Sequence, residues 1–199
     1  MNNKEYQRLT DKKIEALIQK LCRWILYRKM GFRFEETVER PAKYIIALAP
    51  HTSNWDFIIG ILFSRAEGFK CDFMMKEFWF FWPLGYVMRA LGGVPVSRGK
   101  HHSMTDAIAK IARERQEFHL CITPEGTRRR QPEWKRGFYY IALKADLPIL
   151  LYGLDFKRRL IQCSKMVIPT GDVEAQMVEI KQYFEPFSGK YPEQFTTGL

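Results

Sequence analysis

Tyr44-Ile45-Ile46-Ala47-Leu48-Ala49 runs into Pro50-His51-Thr52-Ser53-Asn54-Trp55-Asp56, and the reading of this stretch decides the fold. Six apolar residues in succession predict a buried strand, because a strand with one wet face would alternate. The strand ends at Pro50-His51. Ser53 or Asn54 then caps a helix that extends to about residue 65.

The same grammar continues toward the C-terminus. Strands are predicted over residues 71–75 and, after the Gly92-Gly93 turn, over 94–96. The capping-box spacing of Ser103 and Asp106 opens a helix to about residue 117, followed by a strand over 118–123. A polar loop over 124–136 precedes a helix over 137–145, strands over 148–153 and 160–168, and a last helix over 172–184. Alternating strands and helices argue for a single α/β domain with a largely parallel sheet and helices on both sides.

Toward the N-terminus, a helix is predicted over residues 10–30, with Thr10 or Asp11 as cap and Gly31 as stop. Ile14, Leu17, Ile18, Leu21, Trp24 and Ile25 fall on one face, and Lys12, Lys13, Lys20, Arg23, Arg28 and Lys29 on the other. Two readings fit this N-terminal amphipathic helix: it lies on an anionic bilayer, or it packs on the core with a solvated basic face. The organisation expected is a helical segment over residues 1–39 and the α/β domain over 40–199, without repeat, linker or low-complexity segment.

The 199 residues, 46% hydrophobic, suffice for one sizeable core and hence one active site. Cys22, Cys71, Cys121 and Cys163 show no metal-ligand spacing and read as reduced packing residues, and no metal site is expected. No signal-peptide pattern opens the chain, and no apolar run approaches the roughly 20 residues of a membrane-spanning helix. The expected location is cytoplasmic, peripheral on the inner face of the cell membrane. A net charge of +10 suits nucleic acid, an anionic membrane surface or a phosphorylated substrate, and does not choose among them.

His51 and Asp56 stand five positions apart at the strand-to-helix passage. In a regular helix they would lie about 140° apart and could not meet. They meet only if His51 sits in the loop ahead of the helix and folds back over its first turn, where the carboxylate would hold one imidazole nitrogen and leave the other to take a proton. Taken alone, the pair reads more simply as a capped helix start with a satisfied histidine. A second constellation, Thr123-Pro124-Glu125-Gly126-Thr127-Arg128 followed by Arg129 and Arg130, also lies just past a strand, where ligand sites of open α/β sheets form. Arg128 supplies a planar donor fork, Gly126 admits close backbone approach, and Glu125 can accept from a hydroxyl or orient an arginine. The plain alternative is a solvated basic loop. Third, Gly93-Val94-Pro95-Val96-Ser97-Arg98 brings Arg98 to a strand end, where it and Arg128 would clamp one anionic group.

With these segments in order, the chain resembles the glycerolipid acyltransferase family, typified by 1-acylglycerol-3-phosphate acyltransferases. Pro50 to Asp56 is similar to the family's His-x4-Asp block, Gly93 to Arg98 to its second block, Thr123 to Arg128 to its Pro-Glu-Gly-Thr-Arg block, and Leu147-Pro148-Ile149-Leu150-Leu151 to its proline-centred fourth. The resemblance implies that His51 is a general base oriented by Asp56. It also implies that Arg98, Glu125, Gly126, Thr127 and Arg128 hold the acceptor's head group. No permanent cofactor is implied; acyl-CoA or acyl-carrier protein is the co-substrate, and a lysophospholipid, most simply 1-acylglycerol-3-phosphate, is the acceptor. Thr123 stands where the family commonly has Phe, and the fourth block lacks a second proline, differences that bear on the acceptor. Backbone N–H groups near the helix start after His51 are candidate donors to the oxyanion.

Other readings differ in class. An amino-acid lipid as acceptor keeps the chemistry. A non-catalytic protein binding anionic membrane or nucleic acid would use the Arg128-Arg129-Arg130 and Lys135-Arg136 runs, but no nucleic-acid-binding motif accompanies them. The run Phe78-Trp79-Phe80-Phe81-Trp82 cannot be hidden on one face of any regular element. It lines an acyl-chain tunnel, enters a bilayer, or forms a local aromatic core.

Overall fold

Every strand predicted from the sequence is present, in an order that the sequence does not disclose. The computed structural model describes the backbone of residues 3–96 and 101–199, and the side chains of 12–74, 77–95 and 104–199. Seven strands, β1 (Arg33–Glu36), β2 (Lys43–Ala49), β3 (Asp72–Lys76), β4 (Gly93–Val96), β5 (Phe118–Ile122), β6 (Ile149–Asp155) and β7 (Leu160–Val167), form one sheet in the order β1-β7-β6-β2-β5-β3-β4. All neighbours are parallel except β6 and β7. The helices are α1 (Asn3–Arg23), continued by a π-helical segment (Trp24–Lys29), α2 (Asn54–Ala66), α3 (Leu84–Ala90), α4 (His101–Glu114), α5 (Gly137–Ala145) and α6 (Val173–Phe184).

The apolar run that announced β2 lies at the middle of the sheet and feeds both faces. Ile45, Ala47 and Ala49 join one buried cluster with Ala109 and Ala112 of α4, Phe138 and Ala142 of α5, and Ile180 and Phe184 of α6. Tyr44 and Ile46 point the other way, into a cluster with Cys22, Leu26, Ile59 and Phe63. This alternation is what a strand buried on both sides must show. All four cysteines are free thiols.

β1 went unannounced because Arg33-Phe34-Glu35-Glu36 carries too little apolar or β-branched residue to read as a strand. Tertiary context makes it one: it pairs with β7 at the sheet edge, and Phe34 packs edge-on against Phe63 at 4.6 Å between ring centroids.

The N-terminal helix departs from its predicted outline. It begins at Asn3, ahead of the expected caps Thr10 and Asp11, whose side chains lie outside the described residues. It also docks by an unexpected edge. Gln19 donates to the Ala66 carbonyl at 3.1 Å, Tyr27 donates to Glu67 at 2.7 Å, Arg23 pairs with Glu67 at 2.9 Å, and Cys22 and Leu26 are buried. The apolar stripe itself faces outward, with Leu17 68% exposed and Ile14, Ile18, Leu21 and Trp24 exposed beside it. The aromatic run likewise forms no local core: Phe78 is 77% and Trp82 89% exposed, around a 3-10 turn (Glu77–Phe80) that leads into α3.

β6 is buried along its whole length, and Phe187 lies over its Gly153 so closely that an added Cβ would sit 2.1 Å from the ring. Gly153→Ala should therefore overpack this site and cost about 1–3 kcal/mol in chemical denaturation, with the denaturant slope unchanged. A loss below about 0.5 kcal/mol would mean that Phe187 moves aside freely.

Candidate active site

The strand-to-helix passage after β2 places the first two residues. Ser53 caps α2 in an extended conformation, its hydroxyl accepting from the Trp55 N–H at 3.1 Å, and Asp56 completes a capping box. Such a box satisfies the otherwise unpaired donors at a helix start. Asp56 is fully buried, and its Oδ2 accepts from the Thr52 and Ser53 N–H groups, both at 2.8 Å, and from His51 Nδ1 at 3.0 Å. His51 thus lies in the loop and folds back over the first turn, as the spacing required. The acceptor at Nδ1 assigns the proton to that nitrogen and leaves Nε2 as the basic one. The backbone donors expected near the helix start for an oxyanion are not free at Thr52, Ser53 or Trp55, which already serve Asp56 and the cap.

β5 lies beside β2 in parallel register, Ala47 opposite Ile122, so its following loop emerges at the same edge as His51. Here Glu125 is buried, and its carboxyl accepts from the His51 backbone N–H. Burial pushes this carboxyl up to about 8; the His51 hydrogen bond pulls it down and the nearby Asp56 charge raises it further. A carboxyl raised this far is mostly protonated at neutral pH. Asp56 Oδ1 and Glu125 Oε2 are both buried without a hydrogen-bond partner among the described residues, which is unusual for polar atoms.

Gly126 has φ +66°, a conformation that favours glycine, and donates to the Thr123 carbonyl at 3.0 Å to close the turn. Thr127 accepts from the Arg129 N–H at 3.3 Å, and the Arg128 side chain is exposed. Arg98 lies outside the described residues, just past the end of β4. Among the described residues no group of three or more His, Cys, Asp and Glu side chains is placed to hold a metal ion.

The structure also brings to the site a segment that no motif marked. Tyr191 donates its N–H to Thr52 Oγ1 at 3.2 Å, and Lys190 stands 4.6 Å above the Trp55 ring. Residues 188–195 have neither helical nor alternating periodicity, and the site residues Thr52 and Trp55 that they meet are more than a hundred positions away, so no local signal could have found them.

The raised Glu125 pKa has a consequence for stability. The folded state keeps this proton where the unfolded chain, titrating near 4.5, releases it. The contribution is therefore complete below about 4.5 and is lost as pH rises through about 8. Glu125→Gln should gain stability over wild type between about pH 5 and about pH 9, by on the order of a few kcal/mol in denaturant titrations. A difference that stays flat with pH would show that Glu125 is not held protonated.

A family model of acyltransferases matches residues 29–151, more than half of the chain. The fold is similar to that of the crystal structure of the 1-acyl-sn-glycerophosphate acyltransferase PlsC from Thermotoga maritima, with a TM-score of 0.62 and 16% identity, over 94% of this chain and 81% of that one. No curated protein sequence matches. The family model spans both the His51–Asp56 passage and the Glu125–Arg128 loop, and the chain belongs to the acyltransferase family.

Proposed function

We propose that this acyltransferase moves a fatty acyl group from a thioester donor, acyl-CoA or acyl-carrier protein, to the hydroxyl of a lysophospholipid, 1-acylglycerol-3-phosphate, giving phosphatidic acid. The observation that carries the proposal is the imidazole fixed through Nδ1 on a buried carboxylate, with Nε2 left basic, at the sheet edge where the loop carrying Glu125 to Arg128 also emerges. Nε2 takes the proton of the acceptor hydroxyl as its oxygen attacks the thioester carbonyl carbon. The tetrahedral intermediate collapses, the carbon–sulfur bond breaks, and the proton passes from His51 to the departing sulfur. An ester and a free thiol result, with no acyl-enzyme.

Arg128, with Arg98 from the end of β4, binds the acceptor's phosphate, for which a guanidinium fork is suited. Gly126 and Thr127 let the backbone approach that group. The protonated Glu125 donates to an acceptor oxygen through Oε2, which has no partner among the described residues. The relative whose fold this chain shares is described as an LPA acyltransferase, and this agrees with the acceptor proposed.

The protein is further proposed to work on an anionic membrane surface. Among the described residues no helix is long and apolar enough to cross a membrane. The α1 stripe and the aromatic turn nevertheless expose large apolar side chains, flanked by Lys12, Lys13 and Lys20 of α1 and by Arg28 and Lys29 of its π-helical continuation. Exposed tryptophans and neighbouring cations are what an interfacial surface needs.

Two experiments test these readings. With labelled acyl-CoA and acyl-carrier protein and a panel of lysolipids in mixed micelles, wild type should acylate 1-acylglycerol-3-phosphate, and His51→Ala should lose about 10²- to 10⁴-fold in rate while remaining folded. Equal background from both proteins with every acceptor would refute the reading. In vesicle flotation, Leu17→Glu with Leu21→Glu should weaken binding to anionic vesicles at least about tenfold. Binding unchanged by these substitutions would remove α1 from the membrane contact.

A further inference from the structure

The polypeptide after α6 returns to the site and ties its two loops together. It starts on β6, where Phe187 covers Gly153, the Ser188 N–H donates to Asp155 Oδ2 at 3.2 Å, and the Ser188 carbonyl accepts from Phe156 at 2.8 Å. It then crosses the His51 loop. Gly189 lies so close to Thr52 that an added Cβ would be 2.6 Å from Oγ1, and the Tyr191 N–H donates to that same oxygen. It finishes at the far end of the second loop, where its Thr196 carbonyl accepts from Trp134 Nε1 at 3.0 Å.

Between these anchors Gln194 reaches both loops with one group. One terminal atom of its amide lies 2.5 Å from the Arg128 carbonyl and 3.3 Å from the Thr52 carbonyl. The amide is assigned with nitrogen toward them, because the opposite orientation would set oxygen against oxygen. An NH2 group has two hydrogens, one for each carbonyl. Thr52 is then held at its hydroxyl by Tyr191 and at its carbonyl by Gln194, while its own N–H serves Asp56. The Thr52 peptide is thus the shared support of the His51–Asp56 pair and of Arg128.

We propose that Gln194 is a positioning residue that sets the separation of the His51 loop from the Arg128 loop, and through it the fit of the acceptor's anionic head group. The inference rests on the function proposed above, in that Arg128 binds the acceptor. A side chain beyond the matched residues 29–151 thereby tunes the chemistry of residues within them. The tie is specific to donors: a carboxylate of the same shape would face two carbonyl oxygens with no hydrogen to share.

Gln194→Glu keeps the shape and removes both donors. Trp134→Phe loosens the same segment at a point that touches neither loop carbonyl and serves as the structural control. Hydrogen exchange read by mass spectrometry over residues 50–56 and 123–130 reports the tie without reference to any substrate. Gln194→Glu should speed exchange in both segments together, raise the acceptor KM about tenfold or more and leave the donor KM within about twofold. Its pH–rate profile should keep its shape, since His51 and Asp56 keep their contact.

Unchanged exchange in the two segments overturns the proposal, and so does faster exchange with an unchanged acceptor KM. A loss that follows only the folded fraction, equal for both substrates and matched by Trp134→Phe, overturns it too by making the role structural. If wild type acylates none of the acceptors, the function proposed above fails, and the exchange result still decides whether Gln194 couples the loops.

Discussion

One carboxylate oxygen organises this molecule's chemistry. Asp56 Oδ2 accepts three hydrogen bonds, two from the backbone that opens α2 and one from the His51 imidazole. The capping bonds fix the carboxylate as part of the helix start, so the third bond orients the imidazole against a support that folding has already made rigid. This double use explains the five-residue separation. The capping box requires Asp56 three positions after Ser53, and His51 must precede the cap by enough chain to curl back above it. A shorter separation would draw the histidine into the helix, where the two side chains could not face each other.

The position of β2 provides the remaining constraint. β5 and β6 flank it in parallel, so the loops after β2 and β5 open at the same edge of the sheet. Two buried carboxyl groups and one imidazole then meet in a small volume. Burial is the main reason the charged form of Glu125 is disfavoured, and the nearby Asp56 adds to it. Asp56 has three donors at one oxygen, whereas Glu125 is given a single backbone donor, from His51. Glu125 is accordingly the carboxyl that burial holds up at about 8.

How much of this was legible depended on whether the information was local. The buried run from Tyr44 to Ala49, the Ser53 cap and the alternation of strands and helices are written in adjacent residues, and the α/β class with its largely parallel sheet follows from them. The His51–Asp56 contact was readable because a helix start has fixed geometry. β1 was not, because Arg33-Phe34-Glu35-Glu36 becomes a strand only through β7 and Phe63. The proton on Glu125 could not be read either, since burial comes from the whole fold. Gln194 was hidden for the plainest reason: its two partners come from different strand ends, and neither is near it in the chain.

The way α1 is held bears on where the reaction takes place. An ordinary amphipathic helix buries its apolar face and gains most of its stability from doing so. Here attachment is largely polar, through Gln19, Arg23 and Tyr27 to the end of α2, with Cys22 and Leu26 as the buried contacts. The stripe from Ile14 to Trp24 therefore contributes little to the fold, and water must solvate it unless something else covers it. Trp82 and Tyr86 stand exposed on and beside α3, whose end at Ala90 accepts from Arg65, one residue before the Ala66 carbonyl that receives Gln19 and Arg23. The two apolar surfaces thus share one neighbour, the C-terminal end of α2, whose N-terminus carries Asp56. On the proposed function, a single-chain lipid acceptor resides in a bilayer with its hydroxyl at head-group depth. On that same reading, α2 has one end at the His51–Asp56 pair and the other between the two exposed apolar surfaces.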